Sequence, residues 1–124
     1  MNVRIFLAVL LTASIAACTA SGTIGSPSPQ ATAQLTLQGV ESAYQAAATA
    51  ELVYLNLPTC GTPAATTALC ATAERRAQIK AFDNQAYAAI VAARTAADTA
   101  TPGAAAALSS ASHAVTNLTN AIPK

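Results

Sequence analysis

TPGAAAALSSASHAVTNLTNAIP, residues 101–123, is the stretch whose reading decides the fold class. Ala105, Leu108, Ala111, Val115, Leu118 and Ile122 recur at intervals of three and four, which places them on one face of an α-helix. Thr101 followed by Pro102 reads as an N-cap and first helical residue, and Pro123 stops the run. A helix is predicted between them.

Two more helices are predicted upstream. Leu37, Val40, Tyr44, Ala48, Leu52 and Leu55 give a similar stripe, so a helix is expected from about Ala33 to Leu57. Pro58 ends it, because proline lacks the amide donor and biases the preceding residue away from helix. Pro-Thr-Cys-Gly-Thr-Pro, residues 58–63, is a turn. The next helix begins either at Thr62 with Pro63 in its first turn, or near Thr67, and runs to about Ala100. Its apolar positions are Leu69, Ala73, Ile79, Phe82, Ala86, Ile90 (or Ala89), Ala93 and Ala97, with Arg76 interrupting the stripe. Short connections make sequential helices antiparallel neighbours. The fold expected for residues 33–124 is a small all-α, antiparallel three-helix bundle behind a leader and a flexible tether.

Composition agrees with helix and limits the core. Alanine is the commonest residue, and it has the highest helix propensity while burying no polar group. There is no Trp, and Phe82 is the single Phe after the leader, so large apolar side chains are scarce. Alanine-lined interfaces let helices approach closely but bury little area per residue, roughly 25 cal/mol for each Å². A slender domain of modest stability is expected.

The N-terminus carries a different message. Arg4 precedes an apolar run from Ile5 to Ala16, and Ile15-Ala16-Ala17 stand before Cys18. This order of parts resembles the signal of bacterial lipoproteins. The resemblance implies that residues 1–17 are a signal peptide, cut before Cys18. It also implies that the cysteine is diacylated on sulfur and then acylated on its new amino group. Thr19, in place of an aspartate, implies sorting to the outer membrane, facing the periplasm. Residues 18–32 then form the lipidated cysteine and its linker, rich in Ser, Thr, Gly and Pro and without apolar periodicity. An ordinary secretory signal, cut near Ala13 to Ala17, is the alternative. A single-pass membrane anchor is a third reading, disfavoured because the run is well short of the roughly 20 residues that a transmembrane helix needs.

Charge excludes several function classes for the mature chain. Arg75, Arg76, Lys80, Arg94 and Lys124 are matched one for one by Glu41, Glu51, Glu74, Asp83 and Asp98. No basic stripe serves a nucleic acid, and no single-sign field steers a charged small-molecule substrate. Glu74, Arg75, Arg76 and Lys80 read as a solvated helix face with weak pairs. With Cys18 lipidated, Cys60 and Cys70 remain as an even pair whose default in an oxidising compartment is a disulfide. A metal site lacks partners, since His113 lies far along the chain and no C-x-x-C spacing occurs. No cofactor is expected.

Catalytic chemistry finds little support. His113 has Ser109 and Ser110 one helical turn away, but its own helix holds no carboxylate, and a triad would have to recruit Asp83 or Asp98. Tyr44, Tyr54 and Tyr87 read as core-edge anchors, rings buried and hydroxyls wet. Asn117-Leu118-Thr119 is a chance match to a glycosylation acceptor.

Phe82-Asp-Asn-Gln-Ala-Tyr-Ala-Ala-Ile-Val-Ala-Ala-Arg94, with Ala43-Tyr-Gln-Ala-Ala-Ala upstream, resembles small uncharacterised helical proteins of alphaproteobacterial prophages. That resemblance covers about half of the mature chain and implies no activity by itself. Three functions follow as expectations. The first is a non-enzymatic envelope lipoprotein, held by membrane lipid through acylated Cys18 and acting on an envelope protein partner or as a structural element. The second is a prophage lysis accessory resembling the outer-membrane lipoprotein of a spanin pair. The third is a small hydrolase that depends on His113.

Overall fold

The computed structural model of the chain describes residues 25–63 and 69–123, so the leader, Cys18 and the first part of the linker, to residue 24, lie outside the described residues. Three helices follow in order: α1 (Pro29–Leu55), α2 (Ala73–Asp98) and α3 (Ala104–Ala121). Every pair of them is in contact, and no strand forms among the described residues. The protein is an all-α three-helix bundle.

Each helix boundary has a local cause. α1 begins at Pro29, inside the segment read as linker, because Ser28 is extended and its hydroxyl accepts the Ala31 amide at 3.1 Å. Ser28-Pro29 is thus the N-cap and first-turn signal that the sequence reading placed at Thr62-Pro63 and Thr101-Pro102. At both of those sites the helix starts later. α2 waits until Thr72, whose hydroxyl accepts the Arg75 amide at 3.1 Å. The delay follows from residues 69–71 being held against the preceding turn. Ala71 donates to the Pro58 carbonyl at 2.9 Å, and Cys60 donates to the Ala71 carbonyl at 3.2 Å. Leu69, expected on the apolar stripe, is therefore outside the helix and 67% exposed. α3 begins at Ala104, with Gly103 in the cap position and no side-chain cap bond.

The α2–α3 turn is a Schellman motif. Thr101 donates to the Ala96 carbonyl at 3.2 Å and Ala100 to the Ala97 carbonyl at 3.3 Å, with Ala100 left-handed at φ 50°. The motif usually takes glycine at that position, and this chain has alanine.

The core is built largely from small side chains. α2 and α3 pack most intimately, over Ala86, Ala93, Ala97 and Ala111, all fully buried, around the larger Ile79 and Leu118. Small side chains let two helices approach closely, as the composition predicts. α1 adds Leu37, Val40 and Ala47 from a more loosely held position. After Tyr44 its buried line passes through Ala47, Glu51 and Tyr54 rather than Ala48, Leu52 and Leu55. Two successive steps of four residues overshoot a full turn by about 40° each, so the expected stripe drifts out of the core. Leu52 is accordingly 62% exposed, while Glu51 is only 7% exposed.

Candidate functional site

Cys18, the predicted lipidation site, lies outside the described residues. Four other features bear on function.

The first is a clasp at the α1–α2 end. Cys60 and Cys70 meet at disulfide distance, with Cα atoms 4.9 Å apart, inside the range such a bond needs. Gly61, left-handed at φ +84°, turns the chain between them, and the Thr62 hydroxyl donates to the Thr59 carbonyl at 2.7 Å. Arg76 completes the clasp by donating from Nη2 to the Leu57 carbonyl just past the end of α1. A cation there complements the helix dipole and occupies an otherwise orphaned carbonyl. Arg76 therefore leaves the solvated charge cluster in which the sequence placed it: it is half-buried, and its Nε is buried without a partner.

The second is a polar seam along α1 and α2. Gln34 donates to Asp98 at 2.8 Å, Arg94 donates twice to Glu41 at 2.6 and 3.0 Å, and the Tyr44 hydroxyl donates to Asp83 at 2.8 Å. Residue numbers rise on α1 as they fall on α2, so the seam fixes the antiparallel register. Burial, then the hydrogen bond to Asp83 and the nearby carboxylate charges, pushes the Tyr44 phenol up to about 12. Burial followed by the Asp83 charge raises the Glu51 carboxyl, with Lys80 opposing. Of the three tyrosines, Tyr44 and Tyr54 sit half-buried at the core edge, whereas Tyr87 stands 60% exposed.

His113 is exposed on α3. The two aspartates that a triad would recruit are committed elsewhere, Asp83 to Tyr44 and Asp98 to Gln34. Among the described residues no three His, Cys, Asp or Glu side chains stand close enough to share a metal ion.

The fourth feature is the open side of the α1–α3 contact, which the sequence did not disclose. A groove of about 640 Å³ runs between Pro29, Thr32, Ala33, Thr36 and Val40 of α1 and Ala104, Ala105, Leu108, Ser109 and Ser112 of α3, closed at one end by the 100–102 turn. A second groove of about 550 Å³ continues the same stripe of α1 through Ala43, Ala46, Ala47 and Ala50, against Thr119, Ile122 and Pro123. Neither lining contains a charged residue. Three of its threonines spend their hydroxyls on backbone carbonyls: Thr36 on Thr32 at 2.9 Å, Thr101 on Ala96 at 3.4 Å and Thr119 on Val115 at 2.9 Å. What remains toward the grooves is largely apolar surface.

No protein-family model matches the chain, and none of the curated proteins or solved structures compared with it is detectably similar.

Proposed function

We propose that this chain is a lipid-anchored protein of the bacterial envelope. Its three-helix module works without catalysis, by contact with an envelope partner or as a structural element. The observation that carries the reading is the apolar run Ile5 to Ala16, ending in Ile15-Ala16-Ala17 before Cys18. The position of the folded module supports it. α1 begins at Pro29, only a short segment beyond the cysteine, so the bundle would sit close to the bilayer on its tether. None of the described helices is long and apolar enough to cross a membrane, and in this reading attachment falls to the lipid. Two or more acyl chains give stable anchoring where a single chain binds only marginally. The pairing of Cys60 with Cys70 suits an oxidising compartment.

The test is direct. Cys18→Ser should move the protein from the membrane to the soluble fraction, and the wild-type N-terminus should carry lipid mass. Unchanged membrane partition together with an unlipidated N-terminus would refute the proposal.

A further inference from the structure

We propose that the groove between the first half of α1 and the start of α3 receives one of the acyl chains borne by Cys18. This inference rests on the lipid-anchor reading and gives the module a second task, shielding part of its own anchor from water.

The chemistry of the groove selects an apolar occupant. Its lining holds no charge; of its five hydroxyl side chains those of Thr36 and Thr101 are already bonded to carbonyls of their own chain, and the exposed Thr32, Ser109 and Ser112 leave a polar margin on an otherwise apolar surface. A polypeptide segment laid there would find no charged group to orient it, whereas a saturated hydrocarbon asks only for apolar surface. The volume, about 640 Å³, falls within the roughly 300–1,000 Å³ typical of small-ligand clefts. The shape is elongated: from Pro29 to Val40 the lining rises about 16 Å along α1. Val40 and Leu108 close its floor as buried core residues.

Chain connectivity selects which hydrocarbon. Pro29, the first residue of α1, is itself part of the lining. The segment from Cys18 to Pro29 spans at most about 36–40 Å when fully extended. The whole groove therefore lies within reach of a chain attached at residue 18, at the high effective concentration that a short tether provides. A free fatty acid enjoys no such advantage.

Two forms of the mature chain, residues 18–124, decide the matter. One is the lipidated protein and the other carries Cys18→Ser, both oxidised and both held in the same mild detergent with a protein-free control subtracted. The probe is cis-parinaric acid, a fatty acid that fluoresces on entering an apolar site, in a chain that contains no Trp to confuse the signal. The Cys18→Ser protein should bind it saturably at one site, with palmitate competing, and the lipidated protein should bind at least tenfold more weakly because its groove is filled in cis. Ala105→Phe and Ser109→Phe, both at exposed positions of the lining, should each weaken binding tenfold or more without lowering helicity. Ala92→Phe, exposed on α2 away from the groove, should leave binding unchanged. Absence of saturable binding to the Cys18→Ser protein, or binding indifferent to both groove substitutions, overturns the site. Equal binding by a protein whose N-terminus carries lipid mass overturns the occupant while sparing the anchor. Absence of that mass overturns the anchor and this occupant together.

Discussion

Replacing both Cys60 and Cys70 with serine tests how much of the bundle's stability resides in its clasp. The two cysteines are separated by 10 residues, and the chain-entropy relation for a loop of that size gives about 2.7 kcal/mol at 25 °C. For a domain of this size each kcal/mol shifts the melting temperature by about 4–8 °C, so a drop of about 10–20 °C is expected. The backbone bonds of Ala71 to Pro58 and of Cys60 to Ala71 do not depend on the sulfur atoms, so the turn keeps partners without the disulfide. Helicity below the transition should persist, because the core residues of α2 and α3 lie beyond the clasped turn. The assay is thermal unfolding followed by circular dichroism, on the oxidised parent and on the double variant. It is paired with thiol labelling of unreduced, unfolded parent, which should show no reactive thiol at residues 60 and 70. A melting temperature within about 3 °C of the parent would refute the entropic argument, since even 1 kcal/mol exceeds that. Two labelled thiols would refute the pairing itself.

Three further outcomes are expected. Ala100→Gly should stabilise the protein by about 0.5–1 kcal/mol in urea unfolding, because the left-handed conformation at φ 50° penalises alanine more than the extra unfolded-state freedom penalises glycine; a loss of stability would show that the Ala100 side chain contributes in some other way. The Tyr44 phenol is held neutral well above its ordinary value of 10, so its contribution is complete below that pH and disappears as the pH climbs through about 12. Unfolding free energies measured from pH 9 upward should fall across this window in the parent and less steeply in Tyr44→Phe, and identical slopes would contradict the assignment. In native-state hydrogen exchange the amides of α1 should be less protected than the central amides of α2 and α3, and equal protection would mean that the three helices open as one unit.

Where apolar contrast was strong, the sequence disclosed the fold. Leu37 and Val40 on α1, Ile79 and Ile90 on α2, and Leu108, Val115 and Leu118 on α3 all occupy the core positions that their three-four spacing predicts. Cys60 and Cys70 were legible as a pair because they are the two cysteines left once Cys18 is set aside. Contrast fails in the alanine-rich stretches. On α1 nothing distinguishes Ala47 from Ala48 as a residue, so the true stripe was lost once it had to pass through Glu51. The helix starts were misplaced because three hydroxyl-proline pairs carry the same local signal and tertiary constraint chooses among them. At Thr62-Pro63 the clasp wins, at Thr101-Pro102 the Schellman turn wins, and at Ser28-Pro29 nothing opposes the cap. The grooves were illegible for a related reason. A stripe of Ala, Thr and Ser looks alike whether a partner helix covers it closely or stands a few ångströms away.

The contrast between the two edges of α1 is the physical basis for expecting it to open first. Its edge toward α2 is held by four specific polar contacts, from Gln34, Glu41, Tyr44 and the Leu57 carbonyl. Such contacts fix register well, yet each offers a modest net stabilisation, and the Glu41–Arg94 pair is solvent-exposed enough to contribute at most about 1 kcal/mol. Its edge toward α3 is the grooved one, where apolar side chains face open space and forfeit dispersion contacts. Burying Glu51 adds a desolvation cost that an apolar residue at the same place would not incur. The seam between α2 and α3 is built differently, from fully buried alanines around Ile79 and Leu118. α1 is therefore positioned by directional bonds and by the clasp at its far end more than by buried area. A ligand filling the groove would bridge α1 to α3 where their packing is incomplete, supplying the contacts that Ala33 and Thr36 lack on their open side.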